Sequence, residues 1–135
     1  MENKKYMILS AAMAVFLVAV LLFVAFMLTH VRTIELKEND YAALDLAQVE
    51  DGSYYGEEAA GLIKVKLEVT VKNNTISEIT INSHRQAKGK AAEAIIFDII
   101  EENSLAVDAI SGATSSSEVI KAAVYNALNS PAEKE

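Results

Sequence analysis

The chain has 135 residues, 52 % of them hydrophobic and 23 % charged, with a formal net charge of −7; that length holds one ordinary domain plus one further segment. Residues 30–135 carry 10 Lys/Arg against 18 Asp/Glu, a surface that repels polyanions and removes nucleic acid as a partner. The absence of cysteine excludes disulfide stapling, thiolate catalysis, iron–sulfur ligation and a cysteine-linked lipid anchor, and two histidines without a shared ligand spacing do not make a structural zinc site.

The first predicted element is a membrane anchor within residues 1–29. Residues 7–28 form a run of 22 without a charge, with Ser10 as its one polar member. A helix of that length spans ~33 Å, enough for a hydrocarbon core of ~30 Å. A cleaved signal sequence has a shorter apolar region that ends at a small-x-small site. This run closes on Ala25-Phe26-Met27-Leu28-Thr29-His30, so retention is expected. Lys4 and Lys5 precede the run while Arg32 and Lys37 follow it. With the N-terminal amine, the flanking charge leans to N-terminus inside, which puts the remainder outside the cytoplasmic membrane as a single-pass protein.

Residues 30–49 read as a juxtamembrane connector, with Asn39-Asp40 placed to cap a short helix through Ala47. Asp51-Gly52-Ser53-Tyr54-Tyr55-Gly56 has the residues of a turn or short edge segment leading into a sheet. The clearest strand covers 63–71: Ile63, Val65, Leu67, Val69 and Val71 alternate with Lys64, Lys66, Glu68 and Thr70, one dry face and one wet face. Asn73 and Asn74 tolerate the left-handed conformation and mark a turn. The next strand covers 76–82, where Ile76 is out of phase with Ile79 and Ile81, predicting a bulge near Ser77. Residues 83–90 read as a loop, 91–102 as a helix with Ala92, Ile95, Ile96, Ile99 and Ile100 on one stripe, and 105–107 as a short strand. A last helix runs from Ser116 or Ser117 to Asn129, with Ser115 and Glu118 at capping-box spacing. The fold class is therefore α+β: a transmembrane helix, then a small antiparallel-sheet domain with two packed helices over 50–130, and a tail at 131–135.

One segment carries chemistry, Asp108-Ala109-Ile110-Ser111-Gly112-Ala113-Thr114-Ser115-Ser116-Ser117. Gly112 permits a tight turn and close approach of backbone to a ligand. Small hydroxyl residues follow, directly before a helix whose first N–H groups lack intrahelical partners, an arrangement suited to a phosphate. Taken alone, the same residues also describe an ordinary loop and helix cap. Elsewhere, Tyr54 and Tyr55 are candidates for stacking or for packing on the sheet. Glu57-Glu58 and Glu101-Glu102 read as solvated faces. The residues supply no nucleophile–base–orienter set for a hydrolase.

Asp108-x-x-Ser111-Gly112-Ala113-Thr114 before a helix resembles the flavinylation motif of the FMN-binding domain family, which includes the small flavin subunits of the sodium-pumping NADH:quinone oxidoreductase and of the Rnf complex. Asp51-Gly52-x-Tyr54-x-Gly56, the strand at 63–71, the Asn turn and the Ile strand after it extend the resemblance over about residues 50–129. The resemblance implies FMN joined through its phosphate to the hydroxyl of Thr114, with Ser111, Gly112, Ala113, Ser115 and Ser116 cradling the phosphate and His84 and Gly89 lining the site. It implies a dedicated flavin transferase, with Asp108 in its recognition segment, because an unassisted threonine is a weak nucleophile. The chain is shorter than the larger family members and fits a stand-alone anchored carrier better than a subunit of either complex. The expected function is electron relay by an extracytoplasmic flavoprotein, as a carrier or oxidoreductase subunit rather than a self-sufficient enzyme. Its redox partner would lie in the membrane or outside it. The alternatives are a module that binds FMN or another phospho-ligand reversibly, and a cofactor-free assembly subunit of a membrane complex.

Overall fold

The computed structural model describes residues 2–37, 41, 44–86 and 89–129. Helix α1 (Glu2–Lys37) contains the apolar run and is long and apolar enough to cross a membrane, with a window of mean hydropathy 3.0 and none of it buried by the rest of the chain. At ~1.5 Å per residue it is ~54 Å long, more than a bilayer core requires. The surplus is the start of the segment read as a connector. It stays helical because its last turns find partners: Thr33 and Leu36 are buried, and Arg32 pairs with Glu35 at 2.9 Å and with Glu58 at 3.4 Å. Tyr41, itself buried, donates its hydroxyl to the Leu36 carbonyl at 3.0 Å. Tertiary packing of this kind extends a helix past its intrinsic stop. Asn39 and Asp40 lie outside the described residues. The turn that follows is a single 3-10 turn, Leu46–Gln48, capped by the Asp45 carboxylate on Ala47 N–H.

Three antiparallel strands form a meander in the order β1 (Gly52–Ala60), β2 (Ile63–Lys72) and β3 (Thr75–Arg85). β2 buries its Ile/Val/Leu face as the alternation predicts. The β2–β3 turn places Asn73 and Asn74 at φ 52° and 58°, the two positive values a two-residue hairpin turn needs. The bulge is at Ser77: Thr70 opposes Glu78, but Val71 opposes Ile76. β1 is a full edge strand of nine residues, not the short segment its Gly, Ser and Glu content suggests. A second register shift leaves Asn82 unpaired and carries β3 on to Arg85, so Ser83, His84 and Arg85 belong to the sheet, not to a loop.

The predicted helix at 91–102 starts as a 3-10 turn (Lys90–Ala94) and becomes helix α2 (Ile95–Glu102), which buries Ile95 and Ile99. Asn103 ends it in the left-handed conformation at φ 46°, and its side-chain oxygen accepts the Ile76 N–H at 2.8 Å. Residues 105–107 form no strand. Their backbone groups are taken by side chains instead: Ala106 N–H donates to Ser104 Oγ at 3.0 Å, and the Val107 carbonyl accepts from Lys121 Nζ at 3.2 Å. Helix α3 (Thr114–Asn129) begins earlier than predicted and packs against β1, β2 and α1. Gly56 permits the close approach to β1, since a Cβ there would lie 2.1 Å from the Ala123 carbonyl oxygen. The core between sheet and helices is built from Val65, Leu67, Val69, Val71, Ile76, Ile99, Ile120 and Val124. Each such side chain contributes roughly 1.5–3 kcal/mol by leaving water.

Candidate functional site

The loop into α3 is held by Ser117. Ile110 N–H donates to Ser117 Oγ at 3.0 Å, and that hydroxyl donates to the Ala113 carbonyl at 3.0 Å. The Ala113 carbonyl also accepts the Ser117 N–H at 3.0 Å, the first bond of the helix. Ala113 is therefore the residue at the cap, and alanine has no side-chain oxygen with which to cap. The expected capping box does not form, because Glu118 is turned inside and pairs with Lys121 at 3.1 Å. The N–H groups of Thr114, Ser115 and Ser116 are left as the helix's orphan donors, at the positive end of a dipole worth roughly half an elementary charge.

These donors open on a cleft of ≈ 760 Å³, within the range of small-ligand sites. Its polar wall is Gly89, Gly112, Ala113, Thr114, Ser115 and Ser116. Gly112 stands at φ 77° with open space where a side chain would project, and Thr114 is exposed. Gly89 passes so close to Ser116 that a Cβ would meet Ser116 Oγ at 1.9 Å. Six of the predicted site residues thus converge on one cleft from two distant stretches of sequence. The Thr114 hydroxyl makes no hydrogen bond within the described residues.

The other predicted residues lie elsewhere. Asp108 and Ser111 are exposed on the approach to the cleft and are not among the residues lining it. His84 is also absent from the lining. Its side chain, 2 % exposed, is held inside at the end of β3 with Nδ1 3.0 Å from Glu93 Oε1, and Nε2 has no partner among the described residues. Burial of Glu93 opposes its ionisation, but hydrogen bonds with Lys90 and His84 outweigh it and hold the carboxyl below the ordinary range. Tyr54 is buried with its hydroxyl donating to the Glu50 carbonyl at 2.7 Å, while Tyr55 points to solvent. Of the four glutamates read as solvated, Glu101 and Glu102 are exposed and Glu57 is exposed beside Lys64 and Lys66, whereas Glu58 faces inward between Arg32 and Asn126. Neighbours on a strand point to opposite sides.

The second wall of the cleft was not legible in the sequence. Leu22, Phe26 and Thr29 of α1 contribute to it, with Leu62 and Ile63 from the β1–β2 hairpin. No local pattern marks these residues, which become neighbours only when α1 docks. None of the lining side chains among the described residues is charged. Among the described residues, a phosphate here would meet backbone N–H groups, small hydroxyls and a helix end, and no cationic side chain. The residues present fit one phosphate at the polar wall, with an apolar surface beside it.

A family model described as FMN-binding domain matches residues 60–129, just over half of the chain. The match contains β2, β3, α2 and the whole polar wall of the cleft. No curated protein matches the chain.

Proposed function

The chain belongs to the FMN-binding domain family, and we propose that it carries FMN covalently on Thr114 as a membrane-anchored electron carrier whose domain faces outward from the cytoplasmic membrane. One observation carries this above reversible binding: an exposed threonine hydroxyl stands at the first position of an uncapped helix, in a cleft with orphan N–H donors and no cationic side chain among its described lining residues. Such a cleft holds a free dianionic phosphate weakly. Esterification lowers the phosphate's charge to that of a diester and removes the need for cationic partners.

Thr114 has no base within hydrogen-bond reach among the described residues, so its activation falls to a flavin transferase. In that reaction the Thr114 oxygen forms a bond to the FMN phosphorus of FAD, the bond to AMP breaks, and the hydroxyl proton leaves. Exposure of Asp108, Ser111, Gly112 and Thr114 suits recognition of this segment by the transferase. Once loaded, the Ser115 and Ser116 N–H groups hold the phosphate, Gly112 leaves it room, and Gly89 with Ser116 closes the cradle. Bound FMN supplies the redox chemistry; the protein supplies position and environment. A covalent link has a clear use outside the cell, where a dissociated cofactor is lost by dilution. Electrons would pass between a partner in the membrane and one in the medium.

Denaturing acid precipitation tests the linkage. The chain made beside an exported flavin transferase should carry its yellow colour into the pellet, and Thr114→Ala should give a colourless pellet with an unchanged circular dichroism spectrum. Flavin released into the supernatant by the parent chain would show reversible holding instead.

A further inference from the structure

The cleft has two chemically distinct walls. Thr114 and the orphan N–H groups stand on the polar side, while Leu22, Phe26 and Leu62 on the other are 64 %, 62 % and 56 % exposed. The apolar wall is shared between two parts of the chain that touch closely. Thr29 Oγ1 accepts the Leu62 N–H at 3.4 Å, and a Cβ on Gly61 would fall 1.9 Å from the same oxygen. Gly61, at φ 58°, lets the hairpin tip close on α1. The Phe26 ring lies parallel to His30 at 6.2 Å between centroids, which orients the aromatic part of the wall. Leu22 and Phe26 belong to the uncharged run 7–28 and fall outside the matched residues 60–129.

FMN has the same division, a charged phosphate at one end and a flat, largely apolar ring system at the other. Ligand sites are mostly apolar with a few placed polar groups. Building on the proposal that Thr114 carries FMN, we infer that the ring system of that FMN seats on Leu22, Phe26 and Leu62, so that the anchor helix forms part of the cofactor site. The ring then lies at the membrane boundary, shielded from water and open toward the acyl chains. The anchor in this arrangement tethers the domain and also completes its pocket.

The test uses the full-length chain, loaded by the transferase and reconstituted in lipid nanodiscs. Intact mass reports loading separately from the spectroscopy. Flavin fluorescence is then quenched with acrylamide, a neutral water-phase quencher, and with lipids carrying a nitroxide high on the acyl chain. The parent should be quenched by the lipid probe and protected from acrylamide relative to free FMN. Phe26→Ala and Leu62→Ser should retain the added mass but lose protection, with acrylamide quenching rising to that of free FMN. Phe16→Ala, on the same helix away from the cleft, should behave as the parent. A loaded parent as open to acrylamide as free FMN, or variants that keep full protection, would overturn the ring seat and leave the Thr114 linkage standing. A parent without added mass would overturn both.

Discussion

Helices α1 and α3 invert the usual relation between composition and burial. The window of α1 with mean hydropathy 3.0 is wholly exposed, whereas the much less apolar α3 buries Ser116, Ser117, Glu118 and Lys121 along with its aliphatic residues. The exposed apolar side chains form a helix long and apolar enough to cross a bilayer. The buried polar groups require internal partners, and most have them: Ser117 ties the loop, and Lys121 reaches Glu118, the Val107 carbonyl and the face of Tyr41 at 5.4 Å. Hydropathy therefore marks α1 as able to cross a membrane and says almost nothing about where α3 goes. The position of α3 is set by Gly56, by its alanines and by a polar network in which Glu118 Oε2 alone of the Glu118–Lys121 pair's atoms finds no hydrogen bond among the described residues.

The largest break in this contrast comes from charging α1. Leu17→Arg with Leu21→Arg should cost about 6 kcal/mol of insertion free energy and move the chain from the carbonate-resistant membrane fraction into the soluble one. Next is the α3 network. Lys121→Met leaves Glu118 buried without its cation and should lower unfolding stability by about 3–5 kcal/mol in denaturant titrations. Replacing both partners with Met should recover most of that loss, which a purely steric account of Lys121 does not predict. Gly56→Ala places a methyl against the α3 backbone and should cost about 1–3 kcal/mol, read as a lower denaturation midpoint.

These examples also mark what a sequence can convey. β2 is readable because its alternation is strict, and the Ser77 bulge is readable because Ile76 breaks phase with Ile79. β1 is not: positions 54, 56, 58 and 60 face inward in strict alternation, but they hold Tyr, Gly, Glu and Ala, so no apolar alternation shows in the sequence. Leu105 and Val107 are apolar for burial without being in a strand. The polar half of the cleft is, apart from Gly89, a contiguous run, Gly112 to Ser116, whose small and hydroxyl residues signal a ligand locally. Its apolar half comes from residues about 50 to 90 positions away, and Leu22 and Phe26 look like any other lipid-facing side chain. Glu58 is an ordinary surface residue in the sequence, and only the docking of α1 and α3 brings Arg32 and Asn126 to it.

The smallest effect concerns Glu93. Its carboxyl is held below the ordinary 4.5 by Lys90 and His84 against the cost of burial. A lowered folded value means that the unfolded chain binds the proton more readily. The associated stability is present above the ordinary value and is lost as pH falls through the folded one. Denaturation midpoints measured from about pH 6 down to about pH 3 should fall less steeply in Glu93→Gln than in the parent.

The ester at Thr114 can be read from an intact mass of the full chain produced with an exported flavin transferase, beside Thr114→Ala. The expected result is an addition equal to FMN less one water in the parent, mapped by fragmentation to Thr114 and absent from the variant. An unmodified parent chain, or the same addition in Thr114→Ala, would contradict it.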